Sequence, residues 1–99
     1  MSVAYLTLLD RRWKFKQVPY LGEDRAGACS EPDKPHRTIW VLQGLDDEDF
    51  LRVFLHEAMH ALNWQTDEEI VDKASTELAH IIVNRFGYHR ERNCGEKAS

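Results

Sequence analysis

Cysteine is scarce: the chain of 99 residues carries two, Cys29 and Cys94. That is too few to staple a disulfide miniprotein, and a reduced, intracellular (cytoplasmic) setting is expected. No apolar run approaches the roughly 20 residues that cross a bilayer, so a membrane is not an expected partner. The first apolar stretch, Val3 to Leu9, has no basic segment before it and no small-residue cleavage site after it, so a secretory signal is not expected either. There is no long basic run, and the formal net charge is −4. On electrostatic grounds nucleic acid is then not an expected partner. No internal repeat, low-complexity tract or linker divides the chain, and its length suits a single domain over residues 1–99.

What is present is an ordinary globular balance, 42% apolar and 30% charged, which argues against disorder and fibrous repeats. The charge is unevenly spread. Residues 1–22 sum to +3 through Arg11, Arg12, Lys14 and Lys16 against Asp10, whereas residues 46–72 sum to −8. So much local negative charge is either solvated, placed at helix starts or neutralised by a cation. The Arg11-Arg12-x-Lys14-x-Lys16 stretch reads as a solvated strand face, with an acidic partner as the sharper alternative.

The chain divides into strands followed by two helices. Val3–Leu9 reads as a strand, and Trp13–Lys16 alternates apolar with basic, as a strand with one wet face does. Gly22–Pro35 reads as a loop. Thr38–Leu42 is β-branched and aromatic and stops at Gly44, the clearest strand of all. Asp46 can cap a helix whose first turn is acidic and which runs to about Trp64. That helix is apolar nearly all round, as a helix in the middle of a domain is. A second helix spans about Asp67 to Phe86. Thr66 and Glu69 stand at capping-box spacing, Val71, Ala74, Ser75, Leu78, Ile81 and Ile82 form the core face, and Gly87 ends it. The core of the domain is expected over residues 11–88, with a polar tail to Ser99. A few strands packed on two long helices make an α+β domain, a small mixed sheet against the helix pair.

Within the first of these helices stands His56-Glu57-Ala58-Met59-His60. Four residues make about one helical turn, so the two imidazoles share a face and can grip one ion. Three unpaired polar groups inside an apolar helix are costly, and a metal removes that cost; hydrogen-bonded core histidines are the plain alternative. Zinc suits imidazole and carboxylate, and keeps an open position when the protein supplies only three ligands. Glu57, one residue along, is placed to take a proton from a water rather than to bind the ion.

Helix phase sorts the candidates for a third ligand. Glu68 precedes Val71 by three and Ser75 by seven and so lies on the inward face. It is preferred to Glu69, whose better role is reaching back to the Thr66 N–H, and then to His80. Asp72, one turn after Glu68, either accepts the second ring N–H of a ligating His or faces solvent. Tyr88, His89, Tyr20 and His36 are oxyanion candidates by residue type alone. Cys29 reads as a buried or free thiol, with zinc ligation in a latent form or pairing to Cys94 as alternatives. Trp40 and Trp64 read as core residues.

This pattern resembles the gluzincin zinc metallopeptidases, through His56, Glu57 and His60 and then Glu68 with Asp72. The short chain, with the Thr38–Leu42 strand just ahead of the motif helix, looks like the smallest members, the minigluzincins. Small metallopeptidase-like proteins of phages and prophages look similar over roughly residues 11–88, including a segment like Gly27-Ala28-Cys29. The His60-to-Glu68 interval is short for gluzincins. The resemblance implies a zincin-like minimal fold, a zinc cofactor, a peptide or protein substrate, and peptide-bond hydrolysis with Glu57 as general base. It also implies an edge strand lying antiparallel to the substrate, for which Thr38–Leu42 is the candidate, its other reading being plain sheet structure. Against this stand a non-catalytic zinc-binding regulatory or peptide-binding module, suggested by the small size, and a metal-free helical interaction domain.

Overall fold

The computed structural model describes residues 2–89. It is an α+β fold of six elements: β1 (Ser2–Leu8), β2 (Arg11–Val18), β3 (Gly27–Cys29), β4 (Thr38–Leu42), α1 (Asp47–Leu62) and α2 (Glu68–Phe86). The β1–β2 hairpin closes at Leu8 opposite Arg11. Its two turn residues, Leu9 and Asp10, have φ of 50° and 63°, the left-handed pair that matches strand twist in a tight hairpin.

The sheet order is β1-β2-β4-β3. β4 pairs parallel with β2 and antiparallel with β3. Thr38–Leu42 is therefore an interior strand with both backbone edges used, which corrects its candidacy as the substrate-pairing edge. The free edge beside it belongs to β3, inside the segment that local composition reads as loop. Three residues between glycine, proline and charge carry no periodicity, and only pairing with β4 makes them a strand.

α1 packs on one face of the sheet against β3 and β4, and α2 packs on α1. The core joins Trp13, Ile39 and Val41 of the sheet to Val53 and Ala61 of α1. Phe15 meets Phe50 and Phe54 edge-on, with ring centroids 6.1 and 5.5 Å away.

The caps follow local chemistry. Asp46 Oδ1 accepts the Asp49 N–H at 2.8 Å, as its position before the acidic turn predicts. At α2 the cap is Asp67, whose Oδ1 accepts the Glu69 N–H; the Thr66 N–H bonds to the Asn63 carbonyl oxygen instead, so the Thr66–Glu69 box does not form. Gly87, at φ 67°, ends α2 as expected. The core face of α2 also differs from its pattern. Val71, Ser75 and Ala79 are buried, whereas Leu78 and Ile81 are 41% and 42% exposed. α2 has one broad packing partner, α1, so only a narrow stripe of its apolar surface is covered. Among the described residues no helix is long and apolar enough to cross a membrane. Cys94 and most of the polar tail lie outside the described residues.

Candidate metal centre

His56 and His60 stand one turn apart on α1, and the turn at 63–67 brings the first residue of α2 against them. His56 Nε2 lies 2.9 Å from Glu68 Oε2, and His60 Nε2 lies 2.8 Å from Glu68 Oε1. On its other side, His56 Nδ1 is 3.0 Å from Asp72 Oδ1. The four side chains thus meet where two helix turns face each other, with Asp72 one turn after Glu68. His56 and His60 are only 16% and 14% exposed, while Glu68 is 66% exposed, so the carboxylate forms the solvent-side wall.

The donor set fits a cation. A neutral imidazole donates one proton. If His56 gives its Nδ1–H to Asp72, its Nε2 lone pair faces a Glu68 oxygen, and two lone pairs at that distance repel unless a positive charge lies between them. Among the described residues, His56, His60 and Glu68 are the group whose ligand atoms all fall within 4.8 Å of one another. Ligand atoms around a tetrahedral zinc, bonded at about 2.1 Å, sit about 3.4 Å apart. The two imidazole–carboxylate contacts, to different Glu68 oxygens, are shorter than that, and the three ligand atoms all lie within 4.8 Å of one another, so the side chains would adjust around an ion. Asp72 takes the outer position, holding the His56 ring and its tautomer.

Glu57 is half-buried on the neighbouring face of α1 and is not one of the converging three. Burial pushes its carboxyl above the ordinary range; the two imidazoles and Arg25 pull it back down and Glu68 adds to the rise. The space for Glu57 depends on Gly27. A Cβ there would stand 2.5 Å from Val53 Cγ1 and 3.0 Å from Glu57 Oε2, so only glycine lets β3 lie against α1 at this point. Gly27→Ala is expected to cost about 1–3 kcal/mol through overpacking against a stiff valine, at about 4–8 °C of melting temperature per kcal/mol. An unchanged thermal melt would show that β3 does not rest on α1 in solution.

A cleft of about 350 Å³ runs along this site, lined by Arg25, Gly27, Arg52, His56, Glu57 and Glu68 among others. Arg25 and Arg52 carried no functional signal in the sequence, because Arg25 sits in a stretch without periodicity and Arg52 looks like an ordinary helix charge; Gly27 stood out only through the resemblance of Gly27-Ala28-Cys29. The other candidates lie elsewhere. The Glu69 backbone N–H bonds to the Asp67 cap, and its carboxylate is not in the converging group. His80 pairs with Glu48 at 3.2 Å across the helix pair. Tyr88 and His89 follow the far end of α2, about 30 Å from Glu68 along the helix. Tyr20 is 71% exposed, and His36 lines a separate cleft on the sheet.

Cys29 lies outside the converging group, and burial, then the Glu57 charge, pushes its thiol up to about 12. With Cys94 replaced by Ser, labelling by a thiol reagent at pH 8 should be roughly a thousandfold slower in the folded protein than in denaturant, following the thiolate fraction. Equal rates would mean that Cys29 is not held in this environment. Trp13, rather than Trp40 or Trp64, is the core tryptophan, at 1% exposure; Trp64 sits beside His60 with ring centroids 6.0 Å apart.

No known family model matches the chain, no curated protein matches it, and no solved structure matches it.

Proposed function

We propose that this chain is a zinc-dependent metallopeptidase that hydrolyses peptide bonds, with His56, His60 and Glu68 holding the ion and Glu57 as general base. The observation that carries this reading is the convergence of two imidazole Nε2 atoms on one carboxylate beside a half-buried, otherwise uncommitted Glu57. Zinc, when bound, supplies Lewis acidity, polarising a carbonyl and making water acidic near neutral pH.

The protein groups do the rest. Glu57 accepts a proton from the attacking water and hands it to the leaving amine; a carboxyl raised above its ordinary range is better matched to both tasks. Asp72 keeps His56 presenting Nε2. β3 supplies the docking edge. The Leu42 N–H bonds to the Ala26 carbonyl oxygen and the Ser30 N–H to the Thr38 carbonyl oxygen, so antiparallel alternation turns the Gly27 and Cys29 backbone groups away from β4. An extended peptide laid along them runs past Glu57 as an added strand.

Metal removal tests the reading. Dialysis against a zinc chelator should abolish cleavage of a quenched fluorescent peptide library, and about one zinc per chain should restore it. Cleavage that survives complete metal removal would sink the proposal. One zinc retained per chain with no cleavage of any peptide would favour the non-catalytic regulatory or peptide-binding module.

A further inference from the structure

The sheet has a second face, and none of the described helices covers it. α1 packs on the side of Trp13, Ile39 and Val41. Strand alternation turns Arg12, Lys14 and Lys16 to the opposite side, about 6.5 Å apart along β2. The register sets Tyr5 beside Lys14 on one flank and Trp40 beside Lys16 on the other. Tyr5 is 53% exposed, and the Arg12 guanidinium lies 4.1 Å above its ring. Arg11, which alternation points the other way, instead donates to the Pro32 carbonyl oxygen.

At one end of this row lies a cleft of about 230 Å³, lined by Tyr5, Arg12, Lys14, Pro35, His36 and Arg37 among others, with no carboxylate in its wall. Arg37 Nε donates to the Arg12 carbonyl oxygen, which anchors its guanidinium beside the row. Among the described residues, none of Arg12, Lys14, Lys16 and Arg37 takes part in an ion pair. Residues 46–72 concentrate a local charge of −8, whereas residues 1–44, which include Asp10, Glu23, Asp24, Glu31 and Asp33 in the turns and loops, sum to +2. The net charge of −4 therefore averages an acidic helical side and a basic sheet side, and it is the local potential that a ligand meets.

We propose that this open face binds single-stranded nucleic acid. The row of cations tracks a backbone of phosphates; Arg12 takes one face of the Tyr5 ring, which leaves the other face of this 53% exposed residue for a base, and the half-buried Trp40 flanks the row on the opposite side. A carboxylate-rich peptide would satisfy the cations but has no use for two aromatic rings bracketing them. The site lies on the face of the sheet opposite the metal centre and does not depend on the peptidase reading.

Fluorescence anisotropy of labelled oligo(dT), with the full chain at low salt, tests this. Saturable binding is expected, with a slope of log affinity against log salt of about −2, from three phosphate contacts at roughly −0.7 each. Tyr5→Ala should weaken binding about fivefold or more, and the double change Lys14→Gln, Lys16→Gln should weaken it at least about tenfold and flatten the salt slope. Circular dichroism and thermal melts of both variants establish that they fold; these side chains lie on the open face, so the fold should persist. Absence of binding at low salt overturns the proposal, as does binding that the lysine changes leave intact. Polyglutamate competing as well as oligo(dT), with Tyr5→Ala affecting neither, would assign the face to acidic polypeptides and overturn it too.

Discussion

Glu57→Gln is expected to keep zinc and lose peptide hydrolysis by about 10²–10⁴-fold, the range that a positioned proton-transfer group supplies. The exchange preserves shape and removes the ability to accept a proton. Glu57 is not among the three side chains whose donor atoms converge, so metal stoichiometry should not change. Stability should not fall either: burial already disfavours the charged form of Glu57, and a neutral amide avoids that cost. The decisive measurement pairs elemental analysis with kcat/KM on one peptide. A variant that cleaves as fast as the parent shows that another group takes the proton. A variant that loses zinc together with activity shows that Glu57 helps to hold the ion, and the division of labour along α1 is then wrong.

Glu68→Ala should remove most of the thermal stabilisation that zinc confers, while Glu69→Ala leaves it intact. At a thousandfold excess over its Kd a ligand stabilises the folded state by about 4 kcal/mol, and a domain of this size gains about 4–8 °C per kcal/mol. Glu68 is the carboxylate within reach of both imidazoles, at 2.9 and 2.8 Å, whereas the backbone N–H of Glu69 is bound to the Asp67 cap. Without metal the two variants should melt near the parent, since Glu68 is largely exposed and exposed ion pairs contribute little. Melting curves with and without zinc for the parent and both variants measure this. A full zinc shift in Glu68→Ala, or a lost one in Glu69→Ala, would identify a different third ligand.

Much of the architecture was legible one element at a time. Thr38–Leu42 is β-branched and aromatic and forms a strand over those residues. Asp46 caps α1, and Gly87 closes α2 in the left-handed conformation. The phase of Glu68 relative to Val71 and Ser75 pointed it inward; it meets both histidines but its side chain stays 66% exposed. The misreadings share one cause. Leu78 and Ile81 satisfy helical periodicity and still face solvent, because α2 has a single packing partner. Gly27–Cys29 has no pattern of its own and becomes a strand only through β4. Thr66 and Glu69 have capping-box spacing, but Asp67, a better-placed competitor, takes the position.

The order of amino acids by itself determined the two helices, the cap at Asp46, the stop at Gly87, the clearest strand and the pair of histidines on one face of α1, because each depends on contacts within a turn or two of the chain; the meeting of Glu68 with that pair needed the two helices to pack. The tertiary structure decided the rest. Insertion of β4 between β2 and β3 made Thr38–Leu42 an interior strand and gave β3 the free edge beside Glu57. The covering of only one sheet face by α1 left Arg12, Lys14 and Lys16 together on the other. Strand order and layer pairing rest on contacts between residues far apart in the chain, and no local periodicity records them.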